Sequence, residues 1–394
     1  MIYSNVCGEK ISKLGFGTMR LPLNEDKTIN QKQVEEMVDY ALNNGVNYFD
    51  TAYPYHEGQS EISIGKALKK YPRESYYLAD KYPGHQIASS YNPAQVFETQ
   101  LKKCDVEYFD FYLLHNVYEN DIEVYEDPKW GIIDYFVEQK KLGRIKHLGF
   151  SSHARVETLE NFLKRHPNLF EFCQIQLNYV DYTLQEGKQK VELLNRYNIP
   201  IWVMEPLRGG KLASTKKDEK LKELRKDASI ASWGFNYLLN IEGISVILSG
   251  MSSLSQMQDN IKTFNENKPL NEEETKLVYE IAEEIKSSVP CTKCRYCTSG
   301  CPMGIDIPLM IAIYNDLSVQ RSVNTIMAIE NYPEDKLPSA CLKCGACASI
   351  CPQGIKIPDI LEDLTNIISS MPKWKDISKQ REEIANKELK NKSS

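Results

Sequence analysis

Between residues 10 and 265, short apolar runs alternate with longer segments whose apolar residues recur every three or four positions. The runs lie near Leu14–Gly17, Tyr48–Asp50, Tyr77–Lys81, Phe109–His115, Ile145–Ser151, Phe172–Leu177, Ile201–Met204 and Ser245–Leu248, and they predict eight short strands. The segments between them predict amphipathic helices; Val34, Met37, Val38, Ala41 and Leu42 share one face before Gly45 ends the pattern. Asn92-Pro93 and Asp127-Pro128 supply N-cap and first-turn pairs for two further helices. Eight strand–helix units without a break predict a closed parallel barrel. Periodicity counts units without showing closure, so an open doubly wound sheet is the competing arrangement.

The pattern changes after residue 268. Residues 269–289 read as a connecting loop and a Glu-rich helix. The stretch 290–368 holds most of the cysteines, and within it Ile307, Met310, Ile311 and Tyr314 have helical spacing. The tail, 369–394, is rich in Lys, Glu and Asn and reads as a solvated helix or disorder, with Trp374 as its one candidate for docking a partner. At 394 residues, with 42% hydrophobic and 26% charged positions, the chain has the composition of a globular protein with a large core. A net charge of −6 argues against nucleic acid as a partner, and no apolar stretch is long enough to predict a membrane span.

Cysteine spacing specifies a cofactor. Eight of the 11 cysteines form two copies of one pattern: Cys291, Cys294, Cys297, Cys301-Pro302, and Cys341, Cys344, Cys347, Cys351-Pro352. Three thiolates separated by two residues can converge on one face of a four-iron cube, and the fourth usually ligates the other cluster. This assigns Cys291, Cys294, Cys297 and Cys351 to one 4Fe-4S cluster, and Cys341, Cys344, Cys347 and Cys301 to the other. Zinc is the main alternative, but its usual signature is paired CxxC without a third step. Disulfides fit poorly with a chain showing no export signal, and clusters with no such signal imply a reducing cytoplasm. Cys7, Cys104 and Cys173 stand alone and read as small buried hydrophobes.

Polar residues end the predicted strands: Asp50, Lys81, His115, Ser151, Gln176 and Gly250. In a parallel barrel those ends share one rim, where active sites are built. Asp50-Thr51-Ala52-x-x-Tyr55, Lys81 closing one strand and Leu113-Leu114-His115 closing the next resemble the catalytic tetrad of the aldo/keto reductases. Gly143-Arg144-Ile145 through Ser151, and Gln176-x-Asn178-Tyr179, are similar to that family's nicotinamide-side segments. The resemblance covers roughly residues 10–265. It implies a (β/α)8 TIM barrel of the α/β class, followed here by a small, mainly α-helical two-cluster ferredoxin-like domain.

The tetrad also makes chemical sense as residues. Hydride reduction of a carbonyl builds negative charge on oxygen, so a proton donor must lie within reach. The resemblance implies that Tyr55 is that donor; Lys81 is expected to lower its pKa, Asp50 to keep Lys81 charged, and His115, by the same resemblance, to orient the substrate oxygen. The plain alternative is a structural Asp50–Lys81 ion pair beside a core histidine.

By resemblance, Ser151, Ser152 and Gln176 hold the nicotinamide carboxamide, and Leu207, Gly209, Gly210 and Lys211 form the loop over the pyrophosphate. Asp259 and Asn260 match the adenine contacts. Met204 stands where an aromatic ring often stacks, and Gly250 and Gln256 stand where Lys and Arg usually read the 2′-phosphate. Missing cations predict weak discrimination in favour of NADP(H), with NAD(H) at least as good.

The combination implies a cytoplasmic oxidoreductase that reduces a carbonyl or oxidises an alcohol, its clusters relaying electrons to or from a ferredoxin or other redox protein. Hydride carries two electrons and a cluster one, so a direct relay calls for a flavin, which the sequence neither signals nor excludes. Two other readings stay open: an ordinary nicotinamide-dependent reductase with structural or regulatory clusters, and a non-catalytic electron carrier on a barrel scaffold. The intact tetrad argues against the last. A carboxylate-rich loop from Tyr118 to Asp127 weakly disfavours an anionic substrate.

Overall fold

The computed structural model describes residues 1–391, apart from 87, 120, 216, 287–288, 290, 292–294, 320, 322, 331 and 352–353. These residues divide into two compact units, one of residues 1–278 and 381–391, the other of residues 279–380.

In the first unit an antiparallel hairpin, β1 (Tyr3–Val6) and β2 (Glu9–Ser12), precedes eight parallel strands. These are β3 (Leu14–Gly17), β4 (Tyr48–Asp50), β5 (Tyr77–Tyr82), β6 (Phe109–Leu114), β7 (Ile145–Ser152), β8 (Cys173–Gln176), β9 (Ile201–Met204) and β10 (Ile244–Ser249). They close in the order β10-β3-β4-β5-β6-β7-β8-β9, so the ring is a barrel and not an open sheet. The hairpin carries no sequence signal beyond Cys7-Gly8, whose positive φ angles of 54° and 80° make its two-residue turn.

Inward-facing residues fill the barrel below the rim. Tyr48, Phe111, Phe172 and Trp202 meet one another there, with ring centroids 4.5 Å apart for Phe172–Trp202 and 5.4 Å for Tyr48–Phe111. Gly149 makes room for this layer: a Cβ on it would lie 2.5 Å from the Phe172 ring. A solid floor of this kind confines chemistry to the C-terminal rim.

The helix Gln31–Asn43 buries Val34, Met37, Val38 and Ala41, and Gly45 at φ 86° leads the chain out of it. Asn92 caps Pro93–Cys104 by accepting from the Gln95 amide, as the Asn-Pro pair predicts. Asp127-Pro128 behaves differently. Its carboxylate accepts from the Lys129 amide in a turn, and the helix begins only at Ile132, after Gly131 at φ 57°. Cys104 and Cys173 are buried as expected, but Cys7 sits on the hairpin turn and is only half-buried.

The helix Glu272–Lys286 occupies the expected connection, and its start is tied to the first unit by Arg225, whose guanidinium grips Glu274 at 2.6 Å. Among its described residues the second unit has no strand. Its core gathers Ile305, Ile307, Met310, Ile311, Ile355, Ile357 and Leu361, with Cys297 and Cys347 buried among them. Trp374, at 5% exposure, is packed in and does not offer a docking surface; its amide donates to Glu330. No described helix is long and apolar enough to cross a membrane.

Candidate active site and cluster sites

The C-terminal strand ends bring Asp50, Lys81 and His115 together, and the loop after β4 adds Tyr55. Lys81 projects from β5 toward the barrel axis, fully buried. Its ammonium donates to Asp50 Oδ1 at 2.5 Å and to the Thr51 carbonyl at 2.7 Å, and lies 5.1 Å from the Tyr55 ring centre. The His115 imidazole meets that ring edge-on at 6.0 Å.

Burial, the largest influence, disfavours the Lys81 ammonium, but the Asp50 carboxylate, helped by the Tyr55 oxygen, outweighs it and holds the ammonium above its usual pKa. Tyr55 follows the opposite balance to the one expected. Burial is its largest influence and raises the phenol above the ordinary 10.0; Lys81 pulls it down, but by less, and Asp50 adds to the rise.

The Tyr55 loop is strained. His56, Glu57 and Gly58 all lie in the left-handed region, at φ 49°, 55° and 83°. Two of these are not glycine, at a cost of about 1 kcal/mol or more each. An anchor offsets that cost: the His56 Nε2 accepts from the Leu21 amide at 3.1 Å.

Two nearby groups escaped sequence reasoning. His85, from the loop after β5, lies tilted against His115 with ring centroids 4.3 Å apart. Tyr125, from the short helix Ile122–Glu126, donates to the His115 carbonyl at 2.7 Å and fixes its backbone. The only sequence signal was His85's closeness to Lys81.

The residues expected to hold a nucleotide line the same rim, most of them tied to neighbours. Ser151 Oγ accepts from the Asn116 amide and Ser152 Oγ donates to the Val117 carbonyl, both at 2.7 Å, so the two serines hold the loop that carries His115. Gln176 donates to Asp181 at 2.9 Å, and Arg208 pairs with the same buried carboxylate at 3.2 Å. Met204 accepts a weak contact from Gln174. Beyond Leu207, Gly209 and Gly210 have φ of 67° and 96°, conformations that suit glycine, and Lys211 is exposed. Asn260 turns inward to Ser249 at 3.0 Å, while Asp259 is half-buried. Gln256 accepts from the Ser252 amide at 2.8 Å. Beside Gly250 the fold supplies a cation that strand-end reasoning missed: Arg20 packs where a Gly250 Cβ would be, and its guanidinium is 3.8 Å from Glu205. This rim, with glycine turns, polar side chains and Lys211, suits a dinucleotide.

In the second unit the two cysteine copies fold alike. Cys301 and Cys351 each accept from the amide of the following glycine, Gly304 and Gly354, both glycines at φ 62°. The short helices Tyr296–Ser299 and Ala346–Ser349 each follow a left-handed residue, Arg295 or Gly345. Cys341, Cys344 and Cys347 line one hollow together with Cys301 from the other copy. That is the crossed set a four-iron cube needs. The Lys343 amide points at Cys341 Sγ from 3.4 Å. Cys291, Cys297 and Cys351 share the adjoining core, and Cys294 lies outside the described residues.

The comparisons with known proteins agree with both halves. The description "Aldo/keto reductase family" matches residues 13–283, and "4Fe-4S dicluster domain" matches residues 290–355. A probable aldo-keto reductase 1 of Glycine max is 32% identical over 213 residues, covering 52% of this chain and 58% of the relative. An NADH-specific methylglyoxal reductase of Escherichia coli is 21% identical over 327 residues, covering 70% and 96%. The solved structure of aldo-keto reductase AKR11C1 from Bacillus halodurans, in its holo form, aligns with a TM-score of 0.55 at 26% identity, covering 71% of this chain and 96% of that one.

Proposed function

Because the chain belongs to the aldo/keto reductase family, we propose that it reduces a small carbonyl compound, or runs the reverse oxidation, with Tyr55 as the proton donor, while its cluster domain exchanges electrons with a redox protein such as a ferredoxin. The observation that carries this reading is the buried Lys81 ammonium, held between Asp50 at 2.5 Å and the Tyr55 ring at 5.1 Å.

A nicotinamide nucleotide, when bound, supplies the hydride. The protein's part is to manage the charge that gathers on the carbonyl oxygen. Tyr55 delivers a proton to that oxygen, Lys81 stabilises the phenolate left behind, and Asp50 keeps Lys81 charged. His115, braced by Tyr125, orients the oxygen beforehand. The strained anchor at His56 keeps Tyr55 in place through the reaction. The E. coli relative's name suits an NADH-using enzyme of small aldehydes, and Gly250 and Gln256 suit the same nucleotide.

Replacing Tyr55 tests the reading. With a panel of small aldehydes and ketones, Tyr55→Phe is expected to lose most of kcat while nucleotide affinity stays within about twofold, because the loss is confined to the transition state. Full turnover by the variant would overturn the assignment.

A further inference from the structure

The opposite, N-terminal end of the barrel holds a second group of reactive side chains that the catalytic rim does not use. Cys7 comes from the β1–β2 turn, His147 from the start of β7, and Glu171 from the loop leading into β8. One donor atom from each lies within 4.8 Å of the other two. All three are half-buried.

The group is held in place from outside. Glu171 Oε1 takes the Lys140 ammonium at 2.5 Å and the Leu148 amide at 3.0 Å, which aims its other oxygen at His147 Nδ1, 3.0 Å away. The imidazole is stacked on Phe111 at 4.9 Å, and its far nitrogen, Nε2, faces Glu9 Oε1 at 3.8 Å. Cys7 occupies a left-handed turn position, φ 54°, where Asn or Gly is usual. Cys7 and Glu171 also border an open cavity of about 460 Å³.

We propose that Cys7, His147 and Glu171 bind a divalent cation of the zinc class, with its fourth position facing the cavity. The donor set decides the class. Thiolate, imidazole and carboxylate together suit zinc, whereas magnesium and calcium take oxygen alone. Zinc bonds of about 2.0–2.3 Å place tetrahedral ligands about 3.3–3.8 Å apart, so the Cys7 sulfur, within 4.8 Å of the other two donors, needs to approach by up to about 1 Å while His147 Nδ1 and Glu171, now 3.0 Å apart, open slightly. The cation takes the place of the proton shared by His147 and Glu171, and the Cys7 thiol releases its proton to solvent. Glu9, on the far ring nitrogen, then orients the imidazole from behind. Such an ion would tie the hairpin to β7 and β8, a staple distant from catalysis.

Anaerobically purified full-length protein, clusters included, tests this with one molar equivalent of zinc against a competing chelator. Wild type is expected to retain one zinc per chain with iron unchanged, and zinc-edge X-ray absorption should show one sulfur among nitrogen and oxygen neighbours. Hydrogen exchange across residues 3–12 should slow. Cys7→Ser and His147→Gln should each weaken zinc retention at least about a hundredfold, and Cys7→Ser should keep carbonyl reduction, which shows that the barrel is folded. Zinc held equally by both variants, an all-sulfur shell, or no retention by wild type would each overturn the site and leave a His147–Glu171 hydrogen bond beside a plain thiol.

Discussion

Tyr55 carries a pKa raised by burial, and that gives the reaction a direction in pH. Carbonyl reduction needs the protonated phenol. A pKa above the ordinary 10.0 keeps the proton in place through neutrality and beyond. The pH profile of kcat/KM for reduction should therefore be flat between about pH 6 and 9 and fall only above that, while alcohol oxidation, which needs the phenolate, should climb steadily over the same range. A reductive rate already falling near pH 7 would mean that Lys81 outweighs burial. That Asp50, Lys81 and His115 would share one rim was legible from polar residues at strand ends. The sign of the Tyr55 shift was not, because it compares a desolvation penalty with a charge, and only the folded chain sets the size of each. Arg20 and His85 were hidden for a related reason: each reaches the rim from a loop whose path the residue pattern does not specify. Arg20 also bears on the nucleotide. Its charge is already directed at Glu205, 3.8 Å away, so NADPH should bind less than about tenfold tighter than NADH when both are titrated at one ionic strength. A larger preference would show that Arg20 has turned to the 2′-phosphate.

At the scale of elements, the eight barrel strands could be read to within two residues, because buried parallel strands are continuous apolar runs with little else to mimic them. The hairpin and the helix after Asp127 could not. Cys7-Gly8 makes a turn without the usual Asn or Asp, and Gly131 delays a helix that Asp-Pro appeared on paper to start. The cysteine loops and their crossing were both read from the spacing, and in the fold Cys301 lines the hollow of the second copy. Replacing Cys351 with Ser should accordingly damage the cluster held by Cys291, Cys294 and Cys297 and leave the other, a difference that electron paramagnetic resonance of the reduced protein can resolve. Loss of the Cys341 cluster instead would mean that the ligands do not cross. In the barrel, Gly149→Val places a methyl-bearing carbon against the Phe172 ring and backbone, and should destabilise the first unit by about 2 kcal/mol or more in thermal melts.

The whole molecule joins an aldo/keto reductase barrel and a 4Fe-4S dicluster domain in one chain. In the sequence the change of pattern falls near residue 268, whereas the two units divide within the helix Glu272–Lys286, where no break in periodicity marks it. Electron exchange with a partner presupposes that both cysteine sets hold iron. The measurement that tests this most directly is iron, acid-labile sulfide, zinc and flavin content of the full chain purified without oxygen. The account predicts about eight irons and about eight sulfides per chain, four for each crossed cysteine set. Stoichiometric zinc with little iron would contradict it.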